Sequence, residues 1–134
     1  MRYIHVDGGA FVEPPTYHFH DAYFSVVDGE TGELIHFEKN IGDRWSGEAE
    51  YEAIKWAVLN ISERPLTIYS DCTVAISWAT RKKPKGIARN CHPLNLQGIT
   101  LTWLHGNLAD KWNADNHSPK VSRGEYYKRW LKLR

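Results

Sequence analysis

The sequence predicts an α/β domain built on a five-stranded mixed sheet of order 3-2-1-4-5, flanked by helices. Residues 3–41 hold three segments of strand character separated by turn residues. Apolar positions then switch to helical spacing near Gly47, and helical segments alternate with short apolar strands from there on.

Tyr3–Asp7 reads as the first strand, stopped by Gly8-Gly9, with a further break at Pro14-Pro15. Thr16–Val27 is a second strand, rich in aromatic and β-branched residues. Asp28-Gly29-Glu30-Thr31-Gly32 turns the chain into a third strand, Glu33–Ile41, which completes an antiparallel meander. Between Gly47 and Ile61 the residues Ala49, Ala53, Ile54, Ala57, Val58 and Ile61 mark a helix, with Ser46 as its N-cap. Pro65 ends that segment and Leu66–Tyr69 forms a fourth strand. Cys72–Thr80 is a second helix, with Val74, Ala75 and Trp78 on one side. Residues 86–98 carry no clear pattern, Ile99–Leu104 is a strong strand closed by Gly106, and Tyr126, Trp130 and Leu133 give the tail from Ser122 helical spacing. A right-handed crossover after the meander sets the fourth strand parallel to the first. The chain then reverses its winding direction between those two strands, and ligands bind beyond strand carboxyl ends at such a point.

The 134 residues fit one domain, 1–134, and the 42% hydrophobic content supports a true core. No stretch is long and apolar enough to span a membrane. The strand pattern starts at once, without a leading apolar run, so no secretory leader is expected. Cys72 and Cys91 show neither zinc nor disulfide spacing, which suits a reduced, cytoplasmic setting. The net charge of +1 hides an asymmetry: residues 1–64 hold twelve acids against five Lys and Arg, and residues 65–134 four against twelve. An acidic half that gathers cations beside a basic half that gathers phosphates would produce that division, as would solvated faces of opposite sign.

Asp7 and Asp71 each follow an apolar strand, and the proposed topology makes them neighbours at the crevice. A lone Asp is more often a cap or turn residue. Two carboxylates at adjacent strand ends repel unless a cation lies between them. Glu50 stands in the first turn of the first helix, and Asp115 follows the last strand. Four oxygen donors and no soft ligand point to Mg2+ or Mn2+ rather than zinc. Two such ions would align a water and hold the leaving oxygen of a phosphodiester.

At these residues the chain resembles a known family. Tyr3-Ile4-His5-Val6-Asp7-Gly8-Gly9-Ala10, Gly47-Glu48-Ala49-Glu50-Tyr51-Glu52-Ala53, Tyr69-Ser70-Asp71-Cys72, and Trp103-Leu104-His105-Gly106-Asn107 with Asn113-Ala114-Asp115 resemble, in order, the four acid-bearing motifs of type 1 ribonucleases H. The resemblance covers about residues 1–117. It implies the ribonuclease H-like fold and endonucleolytic hydrolysis of the RNA strand of RNA–DNA hybrids. It also implies Asp7, Glu50, Asp71 and Asp115 as catalytic and metal-binding residues. A monomer is expected.

Other positions follow with alternatives beside them. Gly8, Gly9 and Ala10 would let a backbone approach a minor groove, or form a tight turn. Arg81, Lys82, Lys83 and Lys85 would contact phosphates, or form a solvated loop. His105 and His117 are candidates for an auxiliary histidine, although a histidine there is more often a surface or packing residue. The family's Asn pair before the Glu, which reads the 2′-hydroxyl, is here Ser46 and Gly47. That change keeps open a DNA- or junction-cutting enzyme on the same fold. A non-catalytic nucleic-acid-binding module is a further alternative, disfavoured because a pure binder gains nothing from acids facing phosphates.

Overall fold

The alternation read from the sequence is realised in a computed structural model, which describes residues 1–12, 19–39, 46–81 and 91–116. The elements are β1 (Arg2–Val12), β2 (Phe19–Asp28), β3 (Leu34–Glu38), α1 (Ser46–Asn60), β4 (Leu66–Ser70), α2 (Thr73–Thr80), β5 (Ile99–Trp103) and α3 (Leu108–Asn116). The sheet order is β3-β2-β1-β4-β5, as expected. β1 pairs antiparallel with β2, and β2 antiparallel with β3. The crossover through α1 brings β4 parallel to β1, and β5 continues parallel to β4.

Alternation along the strands sorts side chains between two faces. Ile4 and Val6 of β1, Phe24 and Val26 of β2, and Leu66 and Ile68 of β4 share one buried cluster with α1 and α2. α1 meets the sheet through Ala49, Ala53, Ile54 and Ala57, all fully buried. Three of these four are alanines, so the helix backbone lies close to the strands. Cutting Ile54 back to Ala would cost about 3 kcal/mol in lost burial and residual cavity. α2 adds Ala75, Trp78 and Ala79, and the Sγ of Cys72 accepts from the Ala75 N–H at 3.4 Å as its N-cap.

Two expectations are corrected. Gly8 and Gly9 do not end β1, which runs on to Val12 with Gly8 opposite Phe24 and Gly9 opposite Tyr23. The reason for a glycine at position 8 is tertiary: a Cβ there would stand 2.5 Å from the Ala49 carbonyl carbon and 2.6 Å from the Glu50 nitrogen. The first turn of α1 sits directly on β1 at this point. The other correction is α3, which forms at Leu108–Asn116, a segment not expected from its pattern to be helical. The helix expected from Ser122 lies outside the described residues, as does Ile41, the expected end of β3.

α3 packs on the face opposite α1, against β1 and β2. Gly106, at φ 65°, makes the left-handed turn between β5 and α3. Asn107 then serves both helix and sheet. Its Oδ1 accepts from the Asp110 N–H at 3.0 Å, while its Nδ2 donates to the carbonyls of Val6 at 3.1 Å and Tyr69 at 3.4 Å. One buried amide thus caps α3 and ties it to β1 and β4 where these strands part. The Leu108 N–H donates to His5 Nδ1 at 2.9 Å, and the Trp112 ring meets Phe37 of β3 at 5.3 Å between centroids. Among the described residues, no helix is long and apolar enough to cross a membrane.

Candidate metal centre

The crevice is defined by register. β1 pairs with β4 as His5 with Tyr69, so two residues further the same alignment sets Asp7 against Asp71. Asp7 is fully buried within β1, and Asp71 is the first residue beyond β4. Asp110 reaches them from the first turn of α3, the turn that Asn107 caps. One carboxylate oxygen from each of Asp7, Asp71 and Asp110 lies within 4.8 Å of the other two.

Glu50, expected from the sequence as a further ligand, reaches Asp7 from α1 but lies outside the three-acid group. It leaves α1 where Gly8 permits contact with β1, and it is buried. Burial first, then the Asp7 charge and a hydrogen bond with Asp7, raises the Glu50 carboxyl well above the ordinary carboxylate range, and Asp71 pushes in the same direction. The shift favours the protonated form of the Glu50 carboxyl beside Asp7. Its Oε2 is buried with no hydrogen-bond partner among the described residues. Hydrogen-bonding capacity left unused in a buried carboxyl is costly unless a ligand completes it.

The acids are supported from below. Asn113, fully buried one turn after Asp110, donates from Nδ2 to Asp7 Oδ2 at 2.7 Å. His5, two residues before Asp7, accepts from α3, which requires an unprotonated Nδ1. Burial lowers its pKa against the opposing pull of Asp28, which favours that state.

Asp115, expected from the sequence as the fourth acid, is exposed near the end of α3 and lies outside the group. The acid from α3 that joins Asp7 and Asp71 is Asp110. The reason is helical geometry: five residues rotate a side chain by about 140°, whereas the three between Asp110 and Asn113 keep both on one side. The sequence held a usable sign, because the Ala-Asp pair of 114–115 also occurs at 109–110, just after an asparagine suited to N-cap a helix.

Gly8 and Gly9 are buried in the strand ladder, while Ala10 is half-buried. Arg81 is exposed at the C-cap of α2. His105 is exposed beyond β5 and stacks on Trp103. Lys82, Lys83, Lys85, His117 and the Ser46 side chain lie outside the described residues.

No protein-family model and no curated protein matches the chain. Solved structures do match. The LC11-RNase H1 crystallised with RNA/DNA hybrid superposes with a TM-score of 0.51 at 17% identity, over 78% of this chain and 85% of its own. The solution structure of the foamy virus RNase H domain gives 0.52 at 18% identity, over 82% and 90%. A foamy viral protease-reverse transcriptase structure in complex with dsDNA gives 0.53 at 18% identity, over 82% and 89%. The chain therefore has the ribonuclease H-like fold. The acidic group formed by Asp7, Asp71 and Asp110 is of a kind that can hold metal ions.

Proposed function

We propose that this chain is a metal-dependent endonuclease that hydrolyses the RNA strand of RNA–DNA hybrids. The observation that carries the reading is the convergence of Asp7, Asp71 and Asp110, with buried Glu50 beside Asp7, where β4 ends alongside β1. The donors are all carboxylate oxygens, which suits Mg2+ or Mn2+. A divalent ion bound there supplies positive charge to the transferring phosphoryl group and acidifies water. Asp7 and Asp71 fix the donors to the sheet, Asp110 closes the set from α3, and Asn113 keeps the Asp7 carboxylate from rotating. A bound cation beside Asp7 would favour the ionised form of Glu50. The structural neighbours that hold hybrid or duplex DNA add weight to a nucleic-acid substrate.

A second reading is a DNA- or junction-cutting enzyme on the same fold. The observation in its favour is Gly47, buried at the start of α1, which has no side chain to meet a 2′-hydroxyl. Cleavage of labelled RNA–DNA hybrid, duplex DNA, duplex RNA and a four-way junction, compared side by side in Mg2+, separates the two. Preference for the hybrid supports the first reading, and preference for a DNA substrate supports the second.

A further inference from the structure

Trp103 ends β5, beside the strand that leads into Asp71, and 53% of it is exposed. A large aromatic left in water usually swings freely, but this one is fixed. Its indole N–H donates to the backbone carbonyl of Asp71 at 3.1 Å. The next residue is tied to the same segment, since the Leu104 N–H donates to the Ser70 carbonyl at 2.9 Å. His105, also exposed, stacks against Trp103 with ring planes 21° apart and centroids 6.1 Å apart. Two near-parallel rings and the 37%-exposed Leu104 thus form an apolar step adjoining an acid of the metal centre.

We propose that Trp103, extended by His105, is a stacking platform for a nucleotide of the bound strand on the β5 side of the acids. A hydrogen bond to the residue that carries the Asp71 carboxylate sets the height of the ring relative to the cluster. A nucleotide stacked there would be placed in register with the phosphodiester at the acids. Every base has a π-face, so the contact contributes affinity and positioning with little sequence preference. The inference rests on the nucleic-acid reading of the acidic site and adds the groove wall that the acids themselves, being anionic, cannot supply.

The test uses the whole chain and fluorescein-labelled RNA–DNA hybrid and duplex DNA, with binding read by anisotropy and cleavage read separately in Mg2+. Trp103→Ala is expected to weaken binding about tenfold. In cleavage it is expected to raise KM by a similar factor while kcat changes far less. Trp103→Phe keeps a ring and drops the N–H, so it should restore most of the affinity. Unchanged binding by Trp103→Ala overturns the platform. So does a Trp103→Phe variant as impaired as the alanine one, because the ring would then act only by holding the Asp71 segment. Binding is read without cleavage, so a wild-type chain that binds but cuts nothing refutes the nuclease reading and still tests the platform.

Discussion

Asn113 reaches from α3 across the crevice to the carboxylate of Asp7 on β1, with Nδ2 2.7 Å from Oδ2. Both residues are fully buried, and they stand 106 positions apart in the chain. The bond couples the docking of α3 to the orientation of the acid at the centre of the cluster. Asn113→Ala leaves a buried carboxylate short of a donor. It should cost about 2 kcal/mol in urea unfolding and lower Mg2+-dependent turnover as well. An unfolding midpoint equal to wild type would show that the bond contributes nothing.

Asp110 and Asp115 separate the structural assignment from the sequence-based one. Asp110→Asn should reduce Mg2+-dependent cleavage by about a hundredfold or more, as expected for removing a carboxylate that would help hold the metal ion at the reacting phosphate. Asp115→Asn, exposed on another side of α3, should leave the rate near wild type. The opposite ranking in a matched kinetic assay would return the fourth acid to position 115.

Gly8→Ala puts a methyl 2.5 Å from the Ala49 carbonyl carbon, where backbone rather than a mobile side chain must give way. The expected loss is about 3 kcal/mol of stability, with a fall in activity as α1 carries Glu50 away from Asp7. Chemical denaturation together with the hybrid-cleavage rate checks both parts, and a stable, fully active variant would contradict the close approach.

Tyr51 of α1 is buried, and its hydroxyl donates to the His92 carbonyl at 2.5 Å. Burial pushes its pKa from 10.0 up to about 12. In the unfolded chain the phenol ionises near its ordinary value, while in the folded chain it stays neutral for a further interval. Its contribution is thus complete below pH 10 and is lost as pH rises toward 12. Tyr51→Phe should be about 1 kcal/mol less stable at pH 7, and the gap should narrow above pH 10. Urea melts across that range measure it, and a constant gap would refute the account.

The sheet order was legible because two periodicities are plain in the chain and crossover handedness leaves one arrangement of the strands. Asp7 and Asp71 were legible because each follows a run of apolar strand residues, a place where carboxylates are otherwise rare. α3 was not. The residues it buries include Ala109 and Asn113, so its inner face is partly polar and gives no apolar stripe. Its docking depends on Asn107, His5 and Asn113, whose bonds run to residues far away in sequence. Gly8 was visible as a breaker of local pattern, but its cause, the first turn of α1 lying on β1, exists only once the crossover has folded.

Calorimetric titration of the whole chain with Mn2+, without nucleic acid, addresses the convergence of the acids most directly. Wild type should show saturable binding. Asp71→Asn, folded as judged by circular dichroism, should bind far more weakly. Equal Mn2+ binding by the two proteins would mean that these carboxylates do not share an ion.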